Sequence, residues 1–163
     1  MTAEVVSTWF AARVPDSWFV GPLEVAVDRD EILVLGVLDA ADAKTTAARL
    51  LVVKHFREAT REARMALAHE AEHRFGRKVS WAVRCEEERI VFSHLAVPVM
   101  TRLRMEERAV LDTLIDAGVA RSRSEALAWC VRLVGRNESE WMGRLRQALV
   151  AVEEARSAGP DTG

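Results

Sequence analysis

The sequence predicts an α+β protein with a ββαββ-like N-terminal domain, residues 1–97, and a smaller C-terminal domain, residues 98–157. Short runs rich in Val, Ile and Leu, separated by polar turns, predict strands on both sides of a long helical stretch. Pro98 then interrupts the chain before a strand-helix-helix pattern and one further helix. The chain has 163 residues, half of them hydrophobic, which is enough for two small cores.

The first half of the N-terminal domain contains a helix and a hairpin. Residues 7–13 predict a short opening helix that stops near Pro15. Residues 23–27 and 31–38 are rich in Val, Leu and Ile, and the polar residues 28–30 separate them. This arrangement predicts two antiparallel strands joined by a tight turn.

A long helix and a second hairpin complete this domain. Residues 39–75 predict one helix that ends at Gly76. Residues 78–85 and 89–94 alternate like strands around the polar turn 86–88. The apolar face of the helix is expected to contain Val52, Phe56, Ala59, Ala63 and Ala66 or Leu67.

Charge is segregated along the chain, although its net value is only -2. Residues 1–40 carry two basic and seven acidic side chains, whereas residues 41–78 carry nine basic and five acidic ones. Residues 101–137 carry seven arginines and five acidic groups. This distribution favours local contact with a polyanion. A basic stripe on the long helix, interpreted as a solvated face, consists of Lys54, Arg57, Arg61 and Arg64.

The composition also argues against several classes of protein. Cys85 and Cys130 lie in apolar surroundings, so we expect a reducing environment rather than a disulfide framework. No apolar run approaches membrane length, and Met1 is not followed by a basic and then apolar signal segment. The sequence therefore predicts a cytoplasmic protein without a membrane partner.

Residues 99–104 predict one strand with two different faces. Alternation places the apolar side of the strand toward a core and two arginines toward solvent, because the opposite register would bury unpaired guanidinium groups. The inward face is expected to contain Val99, Thr101 and Leu103, and the outward face Met100, Arg102 and Arg104.

Two short helices follow this strand. Residues 106–117 predict helix A, ended by Gly118, and Ser122 with Glu125 predicts a capping box that starts helix B, ended by Gly135. The inward positions are Val110, Leu111, Leu114, Ile115, Ala126, Leu127, Cys130, Val131 and Val134. A single strand with two short helices cannot bury its apolar face alone, so pairing with a second chain is expected.

An extra helix is predicted over residues 138–156. Asn137 and Glu140 have the spacing of a capping box, and the apolar stripe contains Trp141, Leu145, Ala148 or Leu149, and Val152. Residues 158–163 are expected to form a flexible tail.

Residues 99–134, 36 of the 163, closely resemble the ribbon-helix-helix superfamily of Arc and methionine-repressor type, particularly its CopG-like members. The resemblance lies in Thr101-Arg102-Leu103, in Glu106-Glu107 and in residues 121–127, RSRSEAL. It implies a homodimer on double-stranded DNA, with two paired strands in the major groove. It also implies base reading by Met100, Arg102 and Arg104, and phosphate binding by Arg121, Ser122, Arg123 and Ser124.

A second pattern points to different chemistry. Residues 69–73, HEAEH, match the zincin spacing, with His69 and His73 on one helix face and Glu70 as a general base. The extended pattern has Val79 at its third histidine position, and a charged helix face explains the same residues. The sequence therefore favours neither a metal nor an enzyme, and His69 and His73 are the metal-ligand candidates.

Taken together, the sequence favours a sequence-specific DNA-binding protein, a bacterial transcriptional regulator without a cofactor. Two alternatives remain open at this level, a small zinc-dependent hydrolase and an antitoxin-like protein that binds both DNA and a partner. A strand-helix-helix piece of one continuous core, with Arg102 and Arg104 merely solvated, is the plainest alternative. The sequence does not assign the role of the N-terminal domain, and a sensor, an oligomerisation domain and a partner-binding domain all stay open.

Overall fold

The computed structural model describes residues 3–159, and the chain divides into two units between Val99 and Met100. The N-terminal unit holds a four-stranded sheet with helices, and the C-terminal unit is helical, so the mixed α+β class is confirmed. Within residues 3–159, no helix combines the length and the apolar composition needed to cross a membrane.

From residue 3 onward, the N-terminal unit contains three α-helices, a short 3₁₀ turn and four strands. In chain order they are α1 (Ala3–Ala11), the 3₁₀ turn (Asp16–Trp18), β1 (Glu24–Val27), β2 (Glu31–Val37), α2 (Thr46–Ala59), α3 (Arg61–Phe75), β3 (Lys78–Cys85) and β4 (Glu88–Val91).

The sheet has the order β1-β2-β3-β4. Both outer pairs are antiparallel hairpins, whereas β2 and β3 run parallel, with Val34 opposite Trp81. A parallel pair needs a long crossover, which α2 and α3 supply. The two inner strands are accordingly the most buried elements of the unit.

Two groups of buried side chains form the core of this unit. In the first, Phe10 of α1 packs edge-on against Trp81 of β3, with ring centroids 5.8 Å apart, beside Ile32 and Val34 of β2. The second lies under α2 and includes Val53 and Cys85. Burial raises the pKa of the Cys85 thiol, which therefore remains protonated at neutral pH.

The prediction of one helix over residues 39–75 is wrong. The helix starts at Thr46, after Thr45 has accepted a hydrogen bond from the Ala48 N–H at 3.2 Å, and it breaks at Thr60. The Thr60 N–H and hydroxyl both donate to the Phe56 carbonyl oxygen, at 3.0 and 2.7 Å, whereas the Arg57 carbonyl oxygen accepts from the Arg64 side chain at 2.7 Å. Because of the break, α2 and α3 do not share the single apolar face that the sequence predicts. The buried apolar residues are Val53 and Ala71, whereas Ala59, Ala63 and Ala66 are exposed.

The C-terminal unit contains α4 (Met105–Asp116), α5 (Arg123–Asn137) and α6 (Ser139–Ala158). Among its residues up to 159, the buried ones are Leu111, Ala120 and Ala126, with Leu103, Leu114, Ile115, Leu127 and Cys130 packed around them. Residues 93–104 belong to no helix or strand, so the strand predicted over residues 99–104 is absent from the single chain.

Several boundaries in this unit differ from the predictions. Helix α5 continues past Gly135 to Asn137, and α6 starts after Glu138, so Asn137 does not cap it. The predicted inward residues Val110, Val131 and Val134 are exposed. Helix α6 reaches Ala158, and the expected tail lies outside the described residues from position 160 onward.

Candidate nucleic-acid interface

The chain that leads into α4 is exposed on nearly every side. Met100 is 92% exposed and Val99 is 84% exposed, and the side chains of Arg102 and Arg104 also face solvent. Leu103 alone is half-buried, because it packs against the small core of α4 and α5. The single chain thus covers one of the three residues predicted to face inward, and it leaves all three predicted base-reading side chains accessible.

Hydrogen bonds fix the end of this segment against α4. The Arg104 N–H donates to the Glu107 carboxylate at 2.6 Å, which makes Arg104 the N-cap residue of α4. Arg108 reaches back and donates from Nη1 to the Leu103 carbonyl oxygen at 2.7 Å. The peptide group between Leu103 and Arg104 is therefore anchored through both its C=O and its N–H, while the Arg104 side chain projects from the junction into solvent.

A glycine turn connects α4 to α5. Gly118 has a φ of 73°, which is the left-handed conformation. Glycine adopts this conformation at the lowest cost in free energy, so Gly118 ends α4 as the sequence predicts. The next two N–H groups, of Val119 and Ala120, donate to the Leu114 carbonyl oxygen at 2.9 and 3.3 Å. This turn buries Ala120 and brings the chain to Ser122 at the start of α5.

Ser122 is the N-cap of α5, as its spacing to Glu125 predicts. Its hydroxyl oxygen accepts from the Glu125 N–H at 3.2 Å. Arg121 donates to the Glu125 carboxylate from its backbone N–H at 2.9 Å and from Nε at 3.1 Å. These hydrogen bonds hold the pKa of Glu125 below its ordinary value, with the Arg121 side chain as the largest cause.

Arg123 is also engaged within the unit. Its Nε and Nη2 donate to the two carboxylate oxygens of Asp112, each at 2.7 Å. Two of the four residues predicted to bind phosphate thus carry a carboxylate partner. Two backbone donors remain available at the start of α5, because the N–H groups of Arg123 and Ser124 have no hydrogen-bond partner within residues 3–159. Such amides at a helix N-terminus suit a phosphate.

The histidines of the zincin-like pattern are exposed on α3. Glu70 pairs with Arg13 at 3.0 Å, and Glu72 pairs with Lys78 at 2.7 Å. Across the described part of the chain, no three His, Cys, Asp or Glu side chains are grouped so that they could hold a metal ion. His69 and His73 therefore have no third ligand in place, and the zinc-hydrolase alternative gains no support from the geometry.

Of the basic residues predicted to lie on a solvated face of the long helix, one is buried. Arg57 and Arg61 are exposed, as expected, but Arg64 is buried beside the break at Thr60. The prediction for Arg64 is wrong because it assumed an unbroken helix. No spacing in the sequence marks this break, since Thr60 stands where a continuous helix would also tolerate a threonine.

Comparisons with known proteins divide the chain in a similar way. Residues 4–91 match the model of the Rv1265-like protein N-terminal domain, and residues 104–156 match that of the Mb1296 C-terminal domain. The uncharacterized protein Mb1296 of Mycobacterium bovis and the uncharacterized protein Rv1265 of Mycobacterium tuberculosis are each 54% identical over 162 residues, which cover 98% of this chain and 72% of the relative. No solved structure matches the chain.

Proposed function

The chain belongs to the Rv1265-like protein family, and we propose that it is a homodimeric, sequence-specific DNA-binding protein that regulates transcription in the bacterial cytoplasm. The observation that carries the proposal is the exposed segment 99–104 joined directly to a pair of short helices with a very small core. The relatives carry only the name uncharacterized protein, and the C-terminal unit supports the proposal.

The need for a second copy follows from burial. Three small or medium side chains, Leu111, Ala120 and Ala126, are the only buried residues that the described part of the C-terminal unit contains. A core of this size supplies little stability on its own. Pairing of residues 99–104 with the same segment of a second copy would satisfy those of their backbone groups that have no partner in the described part of the chain, and would cover Val99 and Thr101.

Such a two-stranded ribbon would present its outer face to the major groove. Met100, Arg102 and Arg104 have exposed side chains on the segment that would pair. Arginine is the commonest bidentate reader of guanine, and each such contact contributes about 1–3 kcal/mol of discrimination between bases. Specificity therefore resides mainly in the two arginines.

The start of α5 would hold the DNA backbone. The free N–H groups of Arg123 and Ser124 lie at the positive end of a 15-residue helix, where one phosphate oxygen can accept from both. The Arg121 side chain is 92% exposed even while it contacts Glu125, so it remains available to a neighbouring phosphate. We expect this contact to position the ribbon without reading sequence.

The decisive experiment selects bound sequences from a random DNA pool with the full chain, then measures affinity for the recovered site. The Arg102→Ala/Arg104→Ala variant is expected to remain a folded dimer, to lose sequence preference and to retain salt-dependent binding. The Arg29→Ala/Arg89→Ala variant is the matched control, because it removes the same charge from two exposed positions in the other unit. Absence of DNA binding by the wild-type chain at low salt would contradict the proposal.

A further inference from the structure

The junction between α2 and α3 buries a guanidinium group. Arg64 is only 6% exposed. Its Nε donates to the Thr60 hydroxyl oxygen at 2.9 Å, its Nη2 donates to the Arg57 carbonyl oxygen at 2.7 Å, and its Cζ lies 4.7 Å from the centroid of the Phe92 ring. A cation near the last carbonyls of α2 is favourable, which explains why Arg64 folds back over that helix end.

None of these partners carries a negative charge. Within residues 3–159, no carboxylate lies at ion-pair distance from Arg57, Arg61 or Arg64. By contrast, the less buried Arg49 holds the Glu88 carboxylate from Nε at 2.8 Å and from Nη2 at 3.0 Å. Burial of a charge without a counter-ion is costly, and Arg64, the most buried arginine in the described part of the unit, has no counter-ion.

Two further cations lie beside Arg64. Arg57 donates from Nη2 to the Phe92 carbonyl oxygen at 3.3 Å, and its Cζ lies 5.5 Å from the centroid of the Phe92 ring. Arg61 lies at the start of α3. Burial, together with the positive charges of Arg57 and Arg61, lowers the pKa of Arg64. An anion among these three side chains would offset both effects.

We propose that Arg57, Arg61 and Arg64 form a binding site for a phosphate group, supplied either by a free phosphorylated compound or by the backbone of DNA. The two N–H groups of Arg64 Nη1 have no hydrogen-bond partner in the described part of the chain. A guanidinium fork matches the oxygen spacing of phosphate, and Arg57 and Arg61 add two exposed guanidinium groups at its edge.

Calorimetric titration of the full chain with inorganic phosphate and with pyrophosphate, against sodium chloride of equal ionic strength, tests the site. Arg61→Gln removes one charge from a side chain that makes no hydrogen bond within residues 3–159, so the fold is preserved. We expect it to weaken pyrophosphate binding roughly tenfold. Arg64→Lys keeps the positive charge but loses the forked guanidinium group that matches the spacing of phosphate oxygens. Arg74→Gln, an exposed change near the other end of α3, is the control and should bind like wild type.

The same variants distinguish the two sources of phosphate. Loss of pyrophosphate binding in Arg61→Gln with unchanged DNA affinity assigns the site to a free phosphorylated compound. Absence of phosphate binding by any form, with weaker DNA binding by Arg61→Gln than by Arg74→Gln, assigns it to DNA. Identical behaviour of wild type, Arg61→Gln and Arg64→Lys toward both ligands overturns the proposal. The Arg102→Ala/Arg104→Ala variant distinguishes this site from the C-terminal interface. It should bind pyrophosphate like wild type even though it loses its DNA sequence preference.

Discussion

Arg123 and Asp112 connect the two helices that frame the proposed DNA interface, through two hydrogen bonds of 2.7 Å each. The pair joins the first residue of α5 to the middle of α4. Because the free amides of Arg123 and Ser124 lie at the same helix start, the ion pair also sets the direction in which those amides point. The side chain of Arg123, a residue expected at the phosphate, thus connects the two helices.

The pair should couple energetically, and the coupling should depend on pH. Arg123 holds the pKa of Asp112 below its ordinary value, first through its hydrogen bonds and then through its charge. The contribution is therefore present above the pKa that Asp112 has in the unfolded chain, and it is lost as the pH falls through the lowered pKa of the folded chain. A double-mutant cycle with Asp112→Asn and Arg123→Gln, followed by thermal unfolding, should give a small positive coupling at pH 7. A coupling that persists unchanged in strong acid would contradict this account.

Loss of the cap at Ser122 should destabilise α5. Substitution of Ser122 by Ala removes the acceptor of the Glu125 N–H and leaves that donor unsatisfied, which costs about 1 kcal/mol at an N-cap. Urea unfolding of the full chain, followed by the circular dichroism of its helices, measures the change. Ser124→Ala serves as the control, because the Ser124 side chain is exposed and makes no hydrogen bond within the described residues. Equal destabilisation by both changes would argue against a capping role.

Local signals in the sequence predict much of this protein, and long-range packing accounts for what they miss. Gly118 and Ser122 act on their own backbone, so their roles as helix stop and helix start are confirmed. The break at Thr60 has no local signal, because a continuous helix would also allow the hydrogen bond of its hydroxyl, and Arg64 is buried beside that break. The predicted strand around Arg102 needs a second chain, so it stays a prediction.

Packing around Gly36 gives a sharp test of the N-terminal core. A Cβ at this position of β2 would lie 2.3 Å from Cδ1 of the Phe19 ring, and the ring is packed against both groups of buried side chains. We expect Gly36→Ala to cost about 1–3 kcal/mol of unfolding free energy, because the ring must shift within a filled core. Gly143→Ala in α6 meets no atom within 4 Å and should be neutral or stabilising. Chemical denaturation of both variants measures the difference, and a neutral Gly36→Ala would show that Phe19 moves freely.

Val99, the first residue of segment 99–104, offers a test of dimerisation that changes none of the residues proposed to contact DNA. Val99 belongs to the inward face of the proposed ribbon, which the second copy would cover, whereas in the single chain it is 84% exposed. Val99→Asp would then bring a charge into the covered apolar face of each copy, so we expect a monomer in sedimentation equilibrium and DNA binding at least about tenfold weaker. Val20→Asp introduces the same charge at a valine that is 56% exposed in the N-terminal unit, and it should leave both properties unchanged. A Val99→Asp chain that remains dimeric would place the contact between copies elsewhere on the surface. If it also bound DNA normally, the paired ribbon would be excluded.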